Sequence, residues 1–116
     1  MRFLTTLALV AVATANAYAA TPEVLETCTE HMIADGRMTA ADLPGEARGR
    51  EYSERVTVHY DLDGSGRAVN PRILQGSARR MFDPVTLELL GRARFAPGAT
   101  AKDCIYVRTY SAVRRR

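Results

Sequence analysis

Cys28 and His31 are the first residues of this chain whose types and spacing suggest chemistry, because both side chains are zinc ligands. A zinc site needs four protein ligands, or three with an open position. The only other histidine is His59 and the only other cysteine is Cys104, both far along the chain. We therefore expect no metal ion and no other cofactor. The same shortage of partners argues against a cysteine–histidine nucleophile.

Other stretches that could carry chemistry have simpler structural explanations. Asp61–Gly66 (DLDGSG) begins like a calcium-binding loop, but the twelfth position of that loop is Arg72 rather than a glutamate. Asp83 stands directly before Pro84, where an aspartate caps a helix. No serine lies in a nucleophile elbow, and the sequence has no glycine-rich phosphate loop. We predict that the protein is not an enzyme and has no small-molecule substrate.

Residues 1–19 have the pattern of a secretory signal peptide. Arg2 is followed by an apolar run from Leu7 to Ala13 and by the small-residue box Ala17–Ala19. We predict cleavage after Ala19, with a site after Ala17 as the second choice. The alternative is an uncleaved membrane anchor formed by residues 3–20. These 18 residues contain threonines and an asparagine, so they only marginally span a hydrocarbon core of about 30 Å.

Removal of residues 1–19 from the 116-residue chain leaves 97 residues, enough for one small domain. Within them we expect an N-terminal helix and connector over residues 20–53 and the main domain over residues 54–116. The net charge falls from +3 to +2 with the loss of Arg2. The basic end Arg114–Arg116 is typical of a solvated tail, so we expect no nucleic-acid partner.

Cys28 and Cys104 both remain after cleavage and have no other cysteine to pair with. In an oxidising compartment an even pair predicts one disulfide, and the chain-entropy model gives a loop of this length roughly 4 kcal/mol of stabilisation. Two buried free thiols are the alternative.

The segment Thr21–Gly36 has the signals of a first helix. Thr21 is a candidate N-cap, Pro22 suits the first helical position and Gly36 suits the end. Four residues at helical spacing share one face, namely Val24, Leu25, Cys28 and Met32. A disulfide from Cys28 would therefore tie this helix to the main body.

The next stretch predicts a connector and a β-hairpin. The connector runs over Arg37–Ser53 and has room for a short helical turn. Alternation over Val56–Leu62 indicates a half-buried strand, Asp63–Gly66 a tight turn, and Ala68–Leu74 the returning strand. Pro71 cannot donate a backbone hydrogen bond, so the second strand is expected at a sheet edge or bulged there.

A second helix and a last strand complete the order of elements. Asp83 as N-cap and Pro84 at the first position begin the helix, whose apolar surface must lie against the sheet. Pro97-Gly98 ends it, and Cys104–Val113 is rich in β-branched and aromatic residues, as strands are. We predict an α+β fold: a small three-stranded antiparallel sheet with one crossover helix (β-β-α-β), plus an N-terminal helix held by a disulfide.

If the second helix crosses back over the sheet, the last strand pairs beside the first. The strand order is then second, first, last, and the last strand has an open edge. Such an edge is either blunted or used to bind an extended peptide.

With this order of elements, a family resemblance emerges between Pro44 and about Ala112. The matching elements are Pro44-x-x-Ala47, Val56-x-Val58-x-Tyr60-x-Leu62-Asp63, Gly66-Arg67, Arg72-Ile73-Leu74, Met81-Phe82-Asp83 and Arg94-Phe95-x-Pro97-Gly98. In this order and spacing they resemble the C-terminal domain of TonB, the periplasmic energy transducer of Gram-negative bacteria.

The resemblance implies a periplasmic domain that binds short segments of outer-membrane transporters or other envelope proteins. In the family those segments add as a strand beside the last strand. On this chain the corresponding edge consists of Ile105, Tyr106, Val107, Arg108, Thr109, Tyr110 and Ser111. Backbone groups would give the affinity, and alternate side chains such as Tyr106, Arg108 and Tyr110 would give selectivity.

The alternation of side chains along this strand leaves a second possibility. Tyr106 and Tyr110 share their side of the strand with Cys104, so a disulfide that faces the first helix would place both rings beneath that helix. The residues Ile105, Val107, Thr109 and Ser111 would then lie on the opposite face.

Several features depart from the family. A transducer has an uncleaved inner-membrane helix and a long Pro-rich linker, whereas this chain has a predicted cleaved signal and no such linker. Glu54 replaces a usual glycine, Ala68 replaces a usual valine, and the Cys28–Cys104 pair is not part of the general pattern. Our leading expectation is a periplasmic protein-binding module. An inner-membrane-anchored transducer component and a homodimer formed through the last strand are the alternatives.

Overall fold

A computed structural model describes residues 24–113 of the chain. Its main sheet is antiparallel and contains β2 (Tyr52–Asp63), β3 (Ala68–Gln75) and β5 (Thr100–Ala112) in the order β3-β2-β5. One α-helix, α1 (Asp83–Arg92), connects β3 to the last part of the chain. Two short strands, β1 (Met32–Ala34) and β4 (Arg94–Phe95), form a separate antiparallel pair. The predicted strand order is confirmed, and the β1–β4 pair was not predicted.

The centre of the fold is β2, whose alternating apolar residues face the core. Val56, Val58 and Tyr60 have no exposed surface, as expected for a strand with neighbours on both sides. The ladder between β2 and β5 runs from Tyr52↔Ala112 to Tyr60↔Cys104 without an irregularity. By their observed bounds, β5 begins at Thr100, before the predicted Cys104, and β2 begins at Tyr52, before the predicted Val56.

The turn between β2 and β3 confirms the structural interpretation of Asp61–Gly66. Gly64 and Gly66 have φ angles of 92° and 86°, a region that glycine adopts without steric cost. The Asp63 carboxylate accepts a hydrogen bond of 2.9 Å from the Ser65 N–H. The Ser65 side chain and then this N–H lower the pKa of Asp63. The aspartate and the two glycines thus serve a hairpin turn.

Asp61 holds together two irregularities that flank β2. Both neighbouring strands bulge opposite this position, with left-handed φ angles of 52° at Asn70 and 53° at Asp103. The Asp61 carboxylate accepts hydrogen bonds from the Asp103 N–H at 3.0 Å and from the Asn70 amide at 3.3 Å. Arg72 donates to both Asp61 oxygens at 3.4 Å. The expectation that β3 is an edge strand, irregular around Pro71, is confirmed.

These contacts predict an acid-sensitive contribution to stability. The Asp103 N–H and then the Arg72 guanidinium lower the pKa of Asp61 to about 2. An unfolded aspartate has a pKa of about 3.9, so the contribution is complete above about pH 4 and is lost as the pH falls toward 2. We expect Asp61→Asn to lower the thermal midpoint near pH 7, and the difference from the wild type to shrink steadily below about pH 4.

The matched control for this prediction is Asp103→Asn, which removes a more exposed carboxylate paired with Arg72 at 2.8 Å. It should shift the midpoint less than Asp61→Asn, because an exposed ion pair contributes little. Thermal unfolding followed by circular dichroism from about pH 7 to about pH 2 measures both variants. A constant difference between Asp61→Asn and the wild type over that range would contradict the prediction.

The start of α1 differs by one position from the prediction. Phe82 is the N-cap and Asp83 is the first helical residue, so Asp83 is not the cap. Its carboxylate instead accepts hydrogen bonds from the Ser77 N–H at 2.8 Å and the Ser77 hydroxyl at 2.9 Å. The Phe82 N–H donates to the Ser77 hydroxyl oxygen at 2.8 Å, so a residue outside the helix supplies the capping group. Asp83 fixes the loop that precedes the helix.

The helix α1 packs on the sheet as its apolar surface predicted. Val85, Leu89 and Leu90 are buried. The Phe82 ring stacks on Tyr110 with centroids 4.3 Å apart. The Thr86 and Tyr110 hydroxyls share a hydrogen bond of 2.7 Å. Burial raises the pKa of Tyr110, so its hydroxyl stays neutral and serves this core contact.

The predicted N-terminal helix is wrong over its described part. Val24–Cys28 is irregular, a single 3₁₀ turn covers Thr29–His31, and β1 follows. Cys28 has a left-handed φ of 65°, which an α-helix does not accommodate. β1 pairs with β4, and the Ala96 N–H donates to the His31 carbonyl at 2.8 Å. A short helix is marginal without packing, and here contacts with distant strands satisfy the backbone instead.

The predicted disulfide between Cys28 and Cys104 is present, with the two Cα atoms 5.7 Å apart. It joins the irregular N-terminal segment, rather than a helix, to β5. Cys104 is completely buried.

The connector contains two 3₁₀ turns, Ala40–Asp42 and Gly45–Ala47, as the sequence allowed. Arg92 of α1 donates two hydrogen bonds of 2.8 Å to the two carboxylate oxygens of Asp42. This guanidinium holds the pKa of Asp42 well below its usual range. The bidentate pair fixes the connector on the last turn of α1.

The predicted signal peptide and the alternative anchor over residues 3–20 lie outside the described residues. Within residues 24–113, no helix has the length and apolar character that a membrane crossing requires.

Candidate functional site

The outer edge of β5 is the candidate site, because β5 ends the sheet on that side among the described residues. Ile105 and Val107 direct backbone groups away from β2: the Ile105 carbonyl accepts from the Thr27 N–H, and the Val107 N–H donates to a Glu26 carboxylate oxygen. Along a strand, backbone groups two residues apart point to the same side. Thr109, two residues beyond Val107, and then Ser111 therefore present their N–H and carbonyl groups at the same edge.

The side chains of β5 divide between two faces, as the parity argument anticipated. Tyr106 and Tyr110 are only 1% and 7% exposed and lie on the core side with Cys104. Neither ring is available to select a partner, so the expectation that these tyrosines give selectivity is corrected. Core packing decides this, because α1 and the N-terminal segment cover that face.

Arg108, the third residue expected to give selectivity, is also engaged within the fold. Its guanidinium lies over the Tyr106 ring, 5.0 Å from the centroid, and its Nε donates to the Tyr106 hydroxyl at 2.7 Å. It also donates to the Gly36 carbonyl at 3.1 Å and forms an ion pair with Asp35. These contacts hold the segment that follows β1 against β5.

The side chains that remain for recognition lie on the other face of β5. Ile105 and Val107 are half-buried, and Thr109 and Ser111 are exposed. In the ladder Thr109 is opposite Arg55. The side chains on this face therefore change from apolar at Ile105 and Val107 to polar at Thr109 and Ser111, and an added strand would lie beside both parts.

One half of the edge is already in contact with the chain's own N-terminal segment, which we call the edge clasp (Val24–Cys28). The Thr27 N–H donates to the Ile105 carbonyl at 3.0 Å, and the Ile105 N–H donates to the Thr27 hydroxyl at 2.8 Å. The Val107 N–H donates to the Glu26 carboxylate at 3.0 Å. The expected edge over Ile105–Ser111 is therefore only partly open.

The sequence did not predict the edge clasp, because the helical spacing of its apolar residues indicated an α-helix and outweighed the preference of single residues for extended backbone. The signal that favours the observed structure is Thr27, a β-branched residue that favours extended backbone. The contact between Thr27 and Ile105 spans 78 residues, so no local pattern specifies it.

The other half of the edge continues to the end of β5. Val113 is 82% exposed. A cleft of about 240 Å³ lies beside it, lined by Gly49, Arg50, Glu51, Ala112 and Val113.

The cysteine and histidine considered for metal binding are not arranged for it. Cys28 is in the disulfide, and the nearest acidic contact of His31 is Glu30, at 3.5 Å. In the described part of the chain no cluster of three or more histidine, cysteine, aspartate or glutamate residues could hold a metal ion.

Comparison with known proteins gives one clear match. The family model described as the Gram-negative bacterial TonB protein C-terminal matches residues 39–112, more than half of the chain. No curated protein matches the sequence at a significant level. The matched range contains most of the connector, α1 and the whole β3-β2-β5 sheet. The edge clasp lies before it.

Proposed function

Because the chain belongs to the family of Gram-negative bacterial TonB C-terminal domains, we propose that it is a periplasmic module that binds an extended protein segment by strand addition to β5. Domains of this family are non-enzymatic, act in the Gram-negative envelope and interact with proteins such as outer-membrane transporters. The partner is a short segment of such a transporter or of another envelope protein. It contributes its backbone to the edge at Thr109 and Ser111.

The observation that carries this proposal is the outer edge of β5 beyond Val107. Thr109 and Ser111 are exposed there, at the end of a regular ladder with β2. An added strand gains main-chain hydrogen bonds from such an edge and side-chain contacts from alternate residues. On this chain those contacts come from the face that carries Val107 and Thr109, since Tyr106 and Tyr110 are buried.

Replacing Thr109 with proline should weaken partner binding about tenfold or more. Proline removes an outward N–H, and its ring obstructs a neighbouring strand. The probe is a pool of synthetic peptides that covers the periplasm-facing N-terminal segments of outer-membrane transporters from the bacterium that encodes this chain. Isothermal titration with peptides that bind the wild type gives the dissociation constants.

The matched control is Thr109→Ala, which changes the side chain and keeps the backbone donor. It should bind within about threefold of the wild type, because the affinity comes mainly from the backbone. Thermal unfolding checks that both variants are folded. A folded Thr109→Pro variant that binds as tightly as Thr109→Ala would contradict strand addition at this edge.

The same edge offers a second occupant, another copy of the chain, because an open strand can pair with itself. Sedimentation of the oxidised protein at increasing concentration distinguishes the two. A dimer that Thr109→Pro dissociates, together with no binding from the peptide pool, would replace the proposed partner with a second copy.

A further inference from the structure

The edge clasp, Val24–Cys28, contacts the strand to which a partner is proposed to add. It makes one backbone hydrogen bond to Ile105, and two side chains, Thr27 and Glu26, accept the outward N–H groups of Ile105 and Val107. Three polar groups of the β5 edge are thereby satisfied. A partner strand would need the same three groups.

We propose that the edge clasp is an internal competitor that closes the Ile105 half of the β5 edge and confines a partner strand to Thr109 and Ser111. This inference rests on the proposed function, because it defines where along β5 the partner adds. The closed half is occupied by Glu26 and Thr27 of the chain itself.

Covalent attachment favours the edge clasp over a free partner. Cys28 directly follows Thr27 in sequence and is bonded to Cys104, the residue before Ile105. The clasp is therefore held beside its own binding site at an effective concentration that reaches millimolar values for short links, and a dissolved peptide must exceed it. The Tyr60 hydroxyl adds a contact of 3.5 Å to the Thr27 carbonyl and fixes the clasp from the core side.

The last described hydrogen bond of the clasp along β5 is the one from the Val107 N–H to Glu26. Leu25, the residue before Glu26, is 74% exposed, and Glu26 reaches Val107 through its side chain rather than its backbone. No hydrogen bond joins the described clasp residues to Thr109 or Ser111. Among residues 24–113, the edge thus divides between Val107 and Thr109 into a closed half and an open half.

Amide hydrogen exchange measured by NMR on the oxidised protein tests the closed half directly. We expect the Ile105 and Val107 amides to exchange at least about tenfold more slowly than the Thr109 and Ser111 amides, since a hydrogen-bonded amide exchanges only on opening. The double variant Glu26→Ala/Thr27→Val keeps the disulfide but removes both side-chain acceptors. It should accelerate exchange at Ile105 and Val107 about tenfold and leave Thr109 unchanged.

The footprint of bound peptides tests the competition. When the transporter peptides are added to the wild type, the amide resonances of Thr109 and Ser111 should shift. In the double variant the amide resonances of Ile105 and Val107 should shift as well. The matched control is Leu25→Ala, which changes an exposed clasp residue outside the contacts and should behave as the wild type in both experiments.

The possible outcomes separate the two proposals. Peptide shifts that include Ile105 and Val107 in the wild type, or equal exchange at all four amides, overturn the clasp as competitor and leave strand addition standing. Absence of peptide shifts in the wild type and the double variant, with the exchange pattern as expected, overturns the proposed function and with it the competition. If the double variant does not fold, the competition is tested by the wild type alone, through its four amide exchange rates and the set of resonances that peptides shift.

Discussion

Replacing Cys28 with serine and Cys104 with alanine lowers the free energy of unfolding by about 3–4 kcal/mol. The two cysteines are separated by 76 residues, so the disulfide closes a long loop and restricts the unfolded chain strongly. A domain of this size has a total stability of only about 5–15 kcal/mol, so the loss is a large fraction of it. Alanine is chosen at position 104 because that site is completely buried and a hydroxyl there would lack a partner.

Urea denaturation of the variant and of the wild type, both at neutral pH, measures this loss. The wild type treated with a dithiol reductant serves as the control and should lose a similar amount. A loss below about 1 kcal/mol in the variant would show that the N-terminal segment is held by its other contacts and that the disulfide adds little.

Replacing Gly36 with alanine destabilises the protein by on the order of 3 kcal/mol, the upper part of the range for overpacked sites. A Cβ at this position would lie 2.0 Å from the Leu89 carbonyl oxygen and 2.7 Å from the Leu89 carbonyl carbon. These are backbone atoms of α1, so no side chain can rotate away. Gly36 itself is held in place, because its carbonyl accepts from Arg108 and its N–H donates to Asp35.

The matched control for Gly36→Ala is Gly91→Ala. Gly91 lies in α1, and a Cβ there would meet nothing within 4 Å apart from its neighbours and the backbone of its own helix. Alanine at that position should leave stability unchanged or raise it by about 0.5–1 kcal/mol, because glycine is the poorer helix former. Thermal and urea unfolding compare the two variants. Equal stability of Gly36→Ala and Gly91→Ala would contradict the close approach of the N-terminal segment to α1.

Much of the core fold was predictable because it depends on local pattern. The alternation over Val56–Leu62 indicated a central strand, and the glycines of Asp63–Gly66 indicated a tight turn. Asp83-Pro84 located the start of α1 within one residue. The disulfide followed from an even pair of cysteines in a chain predicted to be exported.

The candidate site was predictable only in part. The edge strand itself followed from the strand order, and the family model covers it. Which of its side chains face outward depended on the direction of the disulfide, and the structure places Tyr106 and Tyr110 in the core. The bulge of β5 opposite Asp61 was also not predicted, since it arises from left-handed backbone at Asp103.

The sequence by itself determined the three strands of the main sheet, the crossover helix, the cysteine pair and the existence of an edge, because each follows from the spacing and type of neighbouring residues. Only the tertiary structure decided the path of Val24–Gly36 and the share of the edge that it occupies. The hydrogen bonds of that segment go to Ile105 and Val107 on β5, and Gly36 packs on Leu89. These partners are distant in sequence and are in place only once the sheet has formed. Their contacts stabilise the observed path more than the local helical preference stabilises a helix.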